Sequence, residues 1–353
     1  GSQKGFSYYL LSSMTDTDGY RHNNDFRSRD IFGNMGLDLF KNLGFTLKFG
    51  HHRDTYGLPG SLLWRSELVS GLYERKDSKE PNNSGATEDN FIDITACLKL
   101  TDTVMLSLSA SQRDKHNATY YEGTGWFSDS KSHLQTNSVA PQLTVSTPFF
   151  KRNNILTAGI DYYRYPFVSS SYGGVWTYNI SNIWKTETGY YVNDRFHVTP
   201  HFMLEGGYRF QKARYEFNYV DNVAPANSYQ GRRTDTKEAI RFGANWTFNK
   251  NGNFFASYTK GFRFPVVDEF IGIDPTTFVP FFNSEVRPQS VEEYSAGIKW
   301  NPHKRLGGML SLFTSTTHDE IYYNPKYRQV FGFWLGRNEN YERTKRRGLE
   351  SII

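Results

Sequence analysis

The 353-residue chain is 17% aromatic and 22% charged, with 24 Tyr, 28 Phe and a net charge of +5 spread along its length. Mean hydropathy is −0.64, and no apolar run approaches the ~18 residues of a membrane helix, which excludes helical spans. The charge is not clustered as a nucleic-acid footprint requires, and the single cysteine, Cys97, forms no internal disulfide.

In chain order, segments of period-2 alternation are separated by polar punctuation, the signature of strands. FSYYLLSSM opens the series, and TDTDGYRHNND follows, bringing Asp16, Asp18 and Asp25 into one early loop. GFTLKFG sets Phe45 and Leu47 against Lys48. FIDITACLKL sets Ile92, Ile94, Ala96 and Leu98 against Asp93, Thr95, Cys97 and Lys99, and VMLSLSA repeats the split with Val104, Leu106, Leu108 and Ala110. LTAGIDY, FMLEGGYRF, IRFGANWTF and YSAGIKW continue it: Leu156, Ile160, Leu204, Tyr208, Phe242, Trp246, Ile298 and Trp300 share the apolar faces, while Asp161, Glu205, Arg209, Arg241 and Lys299 fall opposite.

Short polar turns at KNLG, LTDT, FFKRNN, TPHF, NKNGN and NPHKRLGG alternate with long Gly-, Tyr-, Asn- and Asp-rich stretches such as KDSKEPNNSGATEDN and YVDNVAPANSYQGRRTDT. Tight turns on one side and long loops on the other predict an all-β, antiparallel transmembrane β-barrel with apolar faces toward lipid. From FSYYLLSSM to RGLESII the count is about 14 strands, an even number as bacterial barrels have. NFFASYTK then ends in GFRFPVVDEF, where Arg263 and Pro265 leave the bilayer at the outer rim, proline closing the ladder because it lacks a donor.

Several segments resemble the TonB-dependent outer-membrane receptors. SYTKGFRFPVVDE is similar to that family's strand ending in a GFRAP-type box, with Phe264 where alanine is commoner. NSEVRPQSVEEYSAGIKW resembles its NPxLKPE-type box and following Tyr-x-x-Gly strand, NYERTKRRGLE its RGxE strand, and TGYYVNDRFHVTPHFMLEGGYRF its YxQD strand, turn and GxR strand. DGYRHNNDFRSRDIFGNMGLDLF fits an early barrel strand. The resemblance implies a barrel of about 22 strands filled by an N-terminal plug. Residues 1–353 would then be a partial barrel, roughly strands 4 to 17, without the plug.

It further implies a Gram-negative outer-membrane receptor taking up a scarce ligand, a ferric siderophore or similar metal chelate first and cobalamin next. Its partners would be outer-membrane lipid and lipopolysaccharide, the plug, the TonB complex and the chelate, with no nucleic acid and no cofactor apart from a candidate structural calcium. A passive porin is the alternative. Candidate ligand-binding residues are the rim and loop rings and cations Tyr56, Trp64, Trp126, Tyr172, Trp176, Arg263, Phe281, Phe282, Trp334 and Arg337, which give contact area and oxygen recognition. Lumen cations Lys48, Lys99, Arg209, Arg241 and Lys299 are expected to pair with plug or wall acids. Asp16, Asp18 and Asp25 offer hard oxygen ligands for calcium, although such residues are also ordinary turn formers. His22, His116 and His318 read as isolated loop histidines, and between Phe264 and Asn283, where haem-uptake members of the family are expected to carry one, there is no histidine. His318, Asp319 and Glu320 lack the oxyanion donors and positioned nucleophile of a catalytic site, so no enzyme is expected.

Overall fold

The computed structural model describes residues 1–63, 66, 68–123, 125–175, 177–273, 280–303, 306–330 and 333–352. Among these residues seventeen strands follow in order: β1 (Ser2–Gln3), β2 (Phe6–Thr17), β3 (Phe26–Phe40), β4 (Leu43–Gly57), β5 (Ser84–Lys99), β6 (Val104–Gly123), β7 (Trp126–Phe149), β8 (Arg152–Tyr172), β9 (Tyr178–Thr199), β10 (Phe202–Asp221), β11 (Tyr229–Asn249), β12 (Gly252–Arg263), β13 (Ile271–Ile273), β14 (Pro280–Phe282), β15 (Gln289–His303), β16 (Leu306–Val330) and β17 (Phe333–Ile352). All but β13 and β14 form one antiparallel sheet in which each strand pairs with its neighbour in sequence, and β1 contributes only two residues to it. The remaining 14 long strands match the expected count.

The register confirms the faces. Leu98, Leu106 and Leu143 lie side by side in one row, and Ala96, Leu108 and Pro141 in the next. These outward side chains are exposed because lipid, not protein, covers them: Leu106 is 40% and Leu108 47% exposed. Ser107 and Ser109 alternate to the other face, where Ser109 and Thr95 share a 3.0 Å hydrogen bond. Near the short turns, Trp246 stacks on Phe254 at 5.9 Å beside Phe248, an interfacial aromatic girdle. The two-residue turn between β7 and β8 takes positive φ at both Phe150 and Lys151, the primed geometry that suits strand twist.

One expectation is corrected on the opposite side. The long polar stretches fold largely into the strands themselves, with β7 at 24 residues and β16 at 25. About 9–11 residues cross a bilayer, so these strands stand well above it. KDSKEPNNSGATEDN becomes strand from Ser84, and YVDNVAPANSYQGRRTDT is strand up to Asp221 and again from Tyr229. Polar sequence there continues the ladder because pairing satisfies every backbone group without needing an apolar outer face. Charge therefore does reach the outward face, but above the apolar belt: on β6 the outward series Val104, Leu106, Leu108, Ala110 passes into Gln112, Asp114 and His116.

Two substantial outer connections remain, 58–83 and 264–288. The first is tied to the 18–25 connection by Arg21, whose guanidinium donates to the carbonyls of Gly60 (2.6 Å), Pro59 (3.2 Å) and Asp77 (2.8 and 3.0 Å). Between β10 and β11 the turn is closed by Asp221, whose carboxylate accepts from the backbone N–H groups of Val223 and Ala224, each at 2.9 Å, and from Asn227. The Ala224 N–H is the main reason the Asp221 carboxyl titrates below the usual 3.8, ahead of Asn227 and Val223.

Two outcomes are expected. Leu108→Arg should destabilise insertion by about 2–4 kcal/mol near the midplane, measured as folded fraction in lipid vesicles, while Ser107→Arg should not; equal effects would refute the assignment of faces. For Asp221, whose folded pKa is depressed, the stabilisation is complete above the unfolded value and disappears as pH falls below 3.8 through the folded pKa. Hydrogen exchange of the Val223 and Ala224 amides, corrected for intrinsic rate, should lose protection across that window, and Asp221→Ala should lose it at neutral pH.

Candidate functional site

The buried core of the described residues lies inside the wall, above the apolar belt. Ile183 on β9 and Ala213, Tyr215 and Phe217 on β10 meet Phe264, Phe270 and Val286 from the 264–288 connection. The described parts of that connection, 264–273 and 280–288, fold inward over the lumen as a cap. Phe264, Phe270 and Val286 from it, with Phe282 of β14, exclude water by packing on the apolar patch of Ile183, Ala213, Tyr215 and Phe217. Phe270 is fully buried, edge-on to Tyr215 at 5.0 Å and to Phe217 at 5.5 Å.

Polar contacts fix the cap at several points. Arg263 grips Glu269 through two 2.9 Å hydrogen bonds, and Glu269 also accepts from the Val266 N–H. The Tyr215 hydroxyl donates to the Pro265 carbonyl at 2.8 Å. Arg233 on β11 is paired with Asp235, donates to the Ser284 carbonyl at 2.7 Å and lies over the Phe270 ring. From β17, Arg337 reaches Glu285 at 3.0 Å while its guanidinium covers the Tyr327 ring at 3.8 Å.

Beside this packing, the lumen wall of β8–β10 carries one continuous polar chain. Lys185 pairs with Glu187 at 2.5 Å, Gln211 donates to Glu187 at 2.6 Å, and Arg209 donates to Gln211 at 2.8 Å and to Asp161 at 2.6 Å. Tyr163 and Tyr165 stack beside it, and Arg209 lies over Tyr191. Buried charge is tolerated because each member has a partner. A wall of rings and exchangeable ion pairs beneath a cap can hold an oxygen-rich, charged guest or an acidic or basic protein surface.

Of the sequence-predicted residues, Arg263, Phe281, Phe282 and Arg337 converge on the cap. Phe282 is packed into it, 4.1 Å from Phe217 and 5.2 Å from Phe270, whereas Phe281 pairs with Gly272 and is half-buried. Tyr56 and Trp126 stand apart on β4 and β7; the Tyr56 ring occupies the space that a side chain at Gly85 would need. Tyr172 ends β8 next to Tyr178. Trp64 and Trp176 lie outside the described residues, as does the side chain of Trp334. Among the lumen cations, Arg209 and Arg241 find wall acids, Asp161 and Glu205, the latter at 3.8 Å.

The proposed calcium acids are not brought together. Asp16 faces Arg27 at 3.3 Å, and Asn23 spends its amide on the carbonyls of Glu80 and Asn83. Among the described residues the metal-ligating side chains that do converge are Asp114, His116 and His133, and His116 is therefore a strand residue with a partner, not a lone loop histidine. Lys185, Glu187 and Gln211 escape sequence reasoning because at their height the outward neighbours Thr186, Thr188 and Lys212 are polar too, which erases the alternation that marks the lumen face.

The chain matches the family model "TonB dependent receptor-like, beta-barrel" over residues 1–351. Among solved structures it is similar to the unliganded ferric citrate transporter FecA, with a TM-score of 0.79 and 12% identity over 99% of this chain and 51% of that one. It is also similar to the ferric yersiniabactin uptake receptor FyuA from Yersinia pestis, with a TM-score of 0.69 and 13% identity over 90% and 51%. A third is BauA, the ferric preacinetobactin receptor from Acinetobacter baumannii, with a TM-score of 0.67 and 13% identity over 99% and 55%. The chain thus spans about half the length of these structures. No curated protein matches it by sequence.

The role of the Tyr215 hydroxyl is testable. Tyr215→Phe removes the 2.8 Å hydrogen bond to the Pro265 carbonyl and leaves it only the long 3.5 Å contact from the Lys185 ammonium, at a cost of about 1 kcal/mol. Residues 264–273 should then exchange amide hydrogens faster while the heat stability of the barrel is unchanged; unaltered exchange would show that packing alone holds the cap.

Proposed function

This chain belongs to the TonB-dependent receptor β-barrel family, and on that premise we propose that it forms much of the wall and the ligand-facing cap of a receptor for active uptake of a ferric siderophore or similar metal chelate. Its place is the Gram-negative outer membrane, and it is a receptor, not an enzyme. The observation that carries the proposal is the 264–288 connection, folded inward and clamped by Arg263, Arg233 and Arg337 over a lumen wall of tyrosines and ion pairs. An open passive pore gains nothing from such a cap, whereas a receptor needs a surface that closes on its guest.

The ferric ligands named for the similar structures support an iron chelate over cobalamin. Iron chelates with carboxylate, catecholate or hydroxamate arms present oxygens that Arg and Tyr recognise. Paired wall charges suit this task, because a ligand or a plug side chain replaces one partner of an ion pair without stranding the other. Among the described residues, the first and last strands of the sheet are not paired with each other. Hydrocarbon does not tolerate open edges, and we propose that further barrel strands close the wall, with the plug domain, the TonB complex and lipopolysaccharide as partners of the whole.

Phe281 separates a ligand contact from a structural one, since its neighbour Phe282 is already committed to packing. In the intact receptor, Phe281→Ala should weaken binding of a radiolabelled ferric chelate, chosen from ferric citrate, a ferric catecholate and a ferric hydroxamate, by at least tenfold, about 1.4 kcal/mol. Protection of the cap in hydrogen exchange should stay unchanged. Phe282→Ala should instead loosen the cap. Failure of the wild-type receptor to bind any of the three chelates would overturn the uptake proposal.

A further inference from the structure

Asp114, His116 and His133 form a compact donor set that the uptake pathway does not use. His116 on β6 and His133 on β7 are direct cross-strand partners, so the ladder sets their spacing, and Asp114 lies two residues before His116 on the same outward face. Their imidazoles stack, with ring centroids 4.1 Å apart and planes inclined by 9°. Both Nε2 atoms point at one carboxylate oxygen, Asp114 Oδ1, at 2.7 Å from His116 and 3.0 Å from His133. All three ligand atoms lie within 4.8 Å of one another. The pair borders a concavity of about 320 Å³ that opens outward and is lined also by Arg53, Glu88 and Lys131.

We propose that this set is a binding site for a divalent transition metal of the zinc, nickel or copper class. Two imidazole nitrogens and one carboxylate oxygen suit those ions, whereas calcium and magnesium require oxygen ligands throughout. At bond lengths of about 2.0–2.2 Å, tetrahedral donors stand roughly 3.3 Å apart. The observed separations of 2.7 and 3.0 Å therefore need to open by only a few tenths of an ångström, within reach of side-chain rotation on a rigid sheet. The metal is held by the Nε2 lone pairs of neutral imidazoles and takes the place of the contacts those atoms make with Asp114. The fourth position faces the concavity and is filled by water.

Position gives the site its meaning. Val104 to Asp114 spans 11 residues, about the length that crosses hydrocarbon, so the donors stand where β6 and β7 leave the bilayer. Glu88, opposite His116 on β5, adds a second acid to balance the ion's charge. The site faces away from the lumen, so a metal bound there is a clip across the β6–β7 hairpin and not cargo.

The test uses the intact outer-membrane protein in detergent, with Zn²⁺ followed by calorimetry and Co²⁺ by its visible spectrum, each in competition-free buffer at neutral pH. One equivalent should bind with the intense absorption of low-coordinate cobalt. His116→Gln and His133→Gln should each weaken Zn²⁺ binding at least tenfold, about 1.4 kcal/mol, while His318→Gln leaves it unchanged. Both substituted side chains are solvent-facing, and heat-modifiable electrophoretic mobility verifies that each variant is folded. Absence of stoichiometric binding in the wild-type protein, or wild-type affinity in both histidine variants, overturns the proposal.

Discussion

Backbone hydrogen bonding in hydrocarbon is the constraint on which the rest of this structure depends. A strand that crosses a bilayer has no water to satisfy its N–H and C=O groups, so each must find them on a neighbouring strand. That requirement produces the uninterrupted antiparallel order from β1 to β17, with only the β13–β14 hairpin outside it. The same ladder makes the side-chain period strict. Lipid-facing Leu106 and Leu108 and lumen-facing Ser107 and Ser109 are consequences of one geometry.

Once strands are registered, continuing them costs little, and this protein continues them far past the membrane. Above the belt the outward face no longer needs to be apolar, which frees it for charge, and the inward face becomes the place where rings can be buried. Tyr215 and Phe217 supply the patch on which the 264–288 connection collapses. The packing is apolar, but its orientation comes from directional contacts: a guanidinium on Glu269, a hydroxyl on the Pro265 carbonyl, an arginine over a ring.

The polar chain from Lys185 to Asp161 follows a different logic. Its members are drawn from three strands, and each spends its charge on the next. Nothing along that chain is left to attract an anion by net charge, so recognition there proceeds by exchange of partners. For Arg209 and Arg241 this is the pairing with wall acids expected from the sequence, and it arises because Asp161 and Glu205 sit on the same inward face as the cations they neutralise.

The alternation of Ile92, Ile94, Ala96 and Leu98 with Asp93, Thr95 and Lys99 was sufficient, by itself, to determine strands, faces, the count of long strands and the membrane setting, because period-2 patterning reports a local geometry. GFRFP marked the rim, and the five segments in order, from DGYRHNNDFRSRDIFGNMGLDLF to NYERTKRRGLE, marked the family. Strand length above the bilayer was not legible, since residues such as Thr186, Thr188 and Lys212 are polar on the face that lower down is apolar, and polar sequence reads equally as loop. Nor could any local pattern show that Phe282 is consumed by packing on Phe217, that Arg337 reaches Glu285, or that His116 stands against His133. Those pairs are distant along the chain and meet only through hairpin register and the inward fold of one connection. The tertiary structure alone decided them, because register is a property of two strands together and a contact surface a property of several.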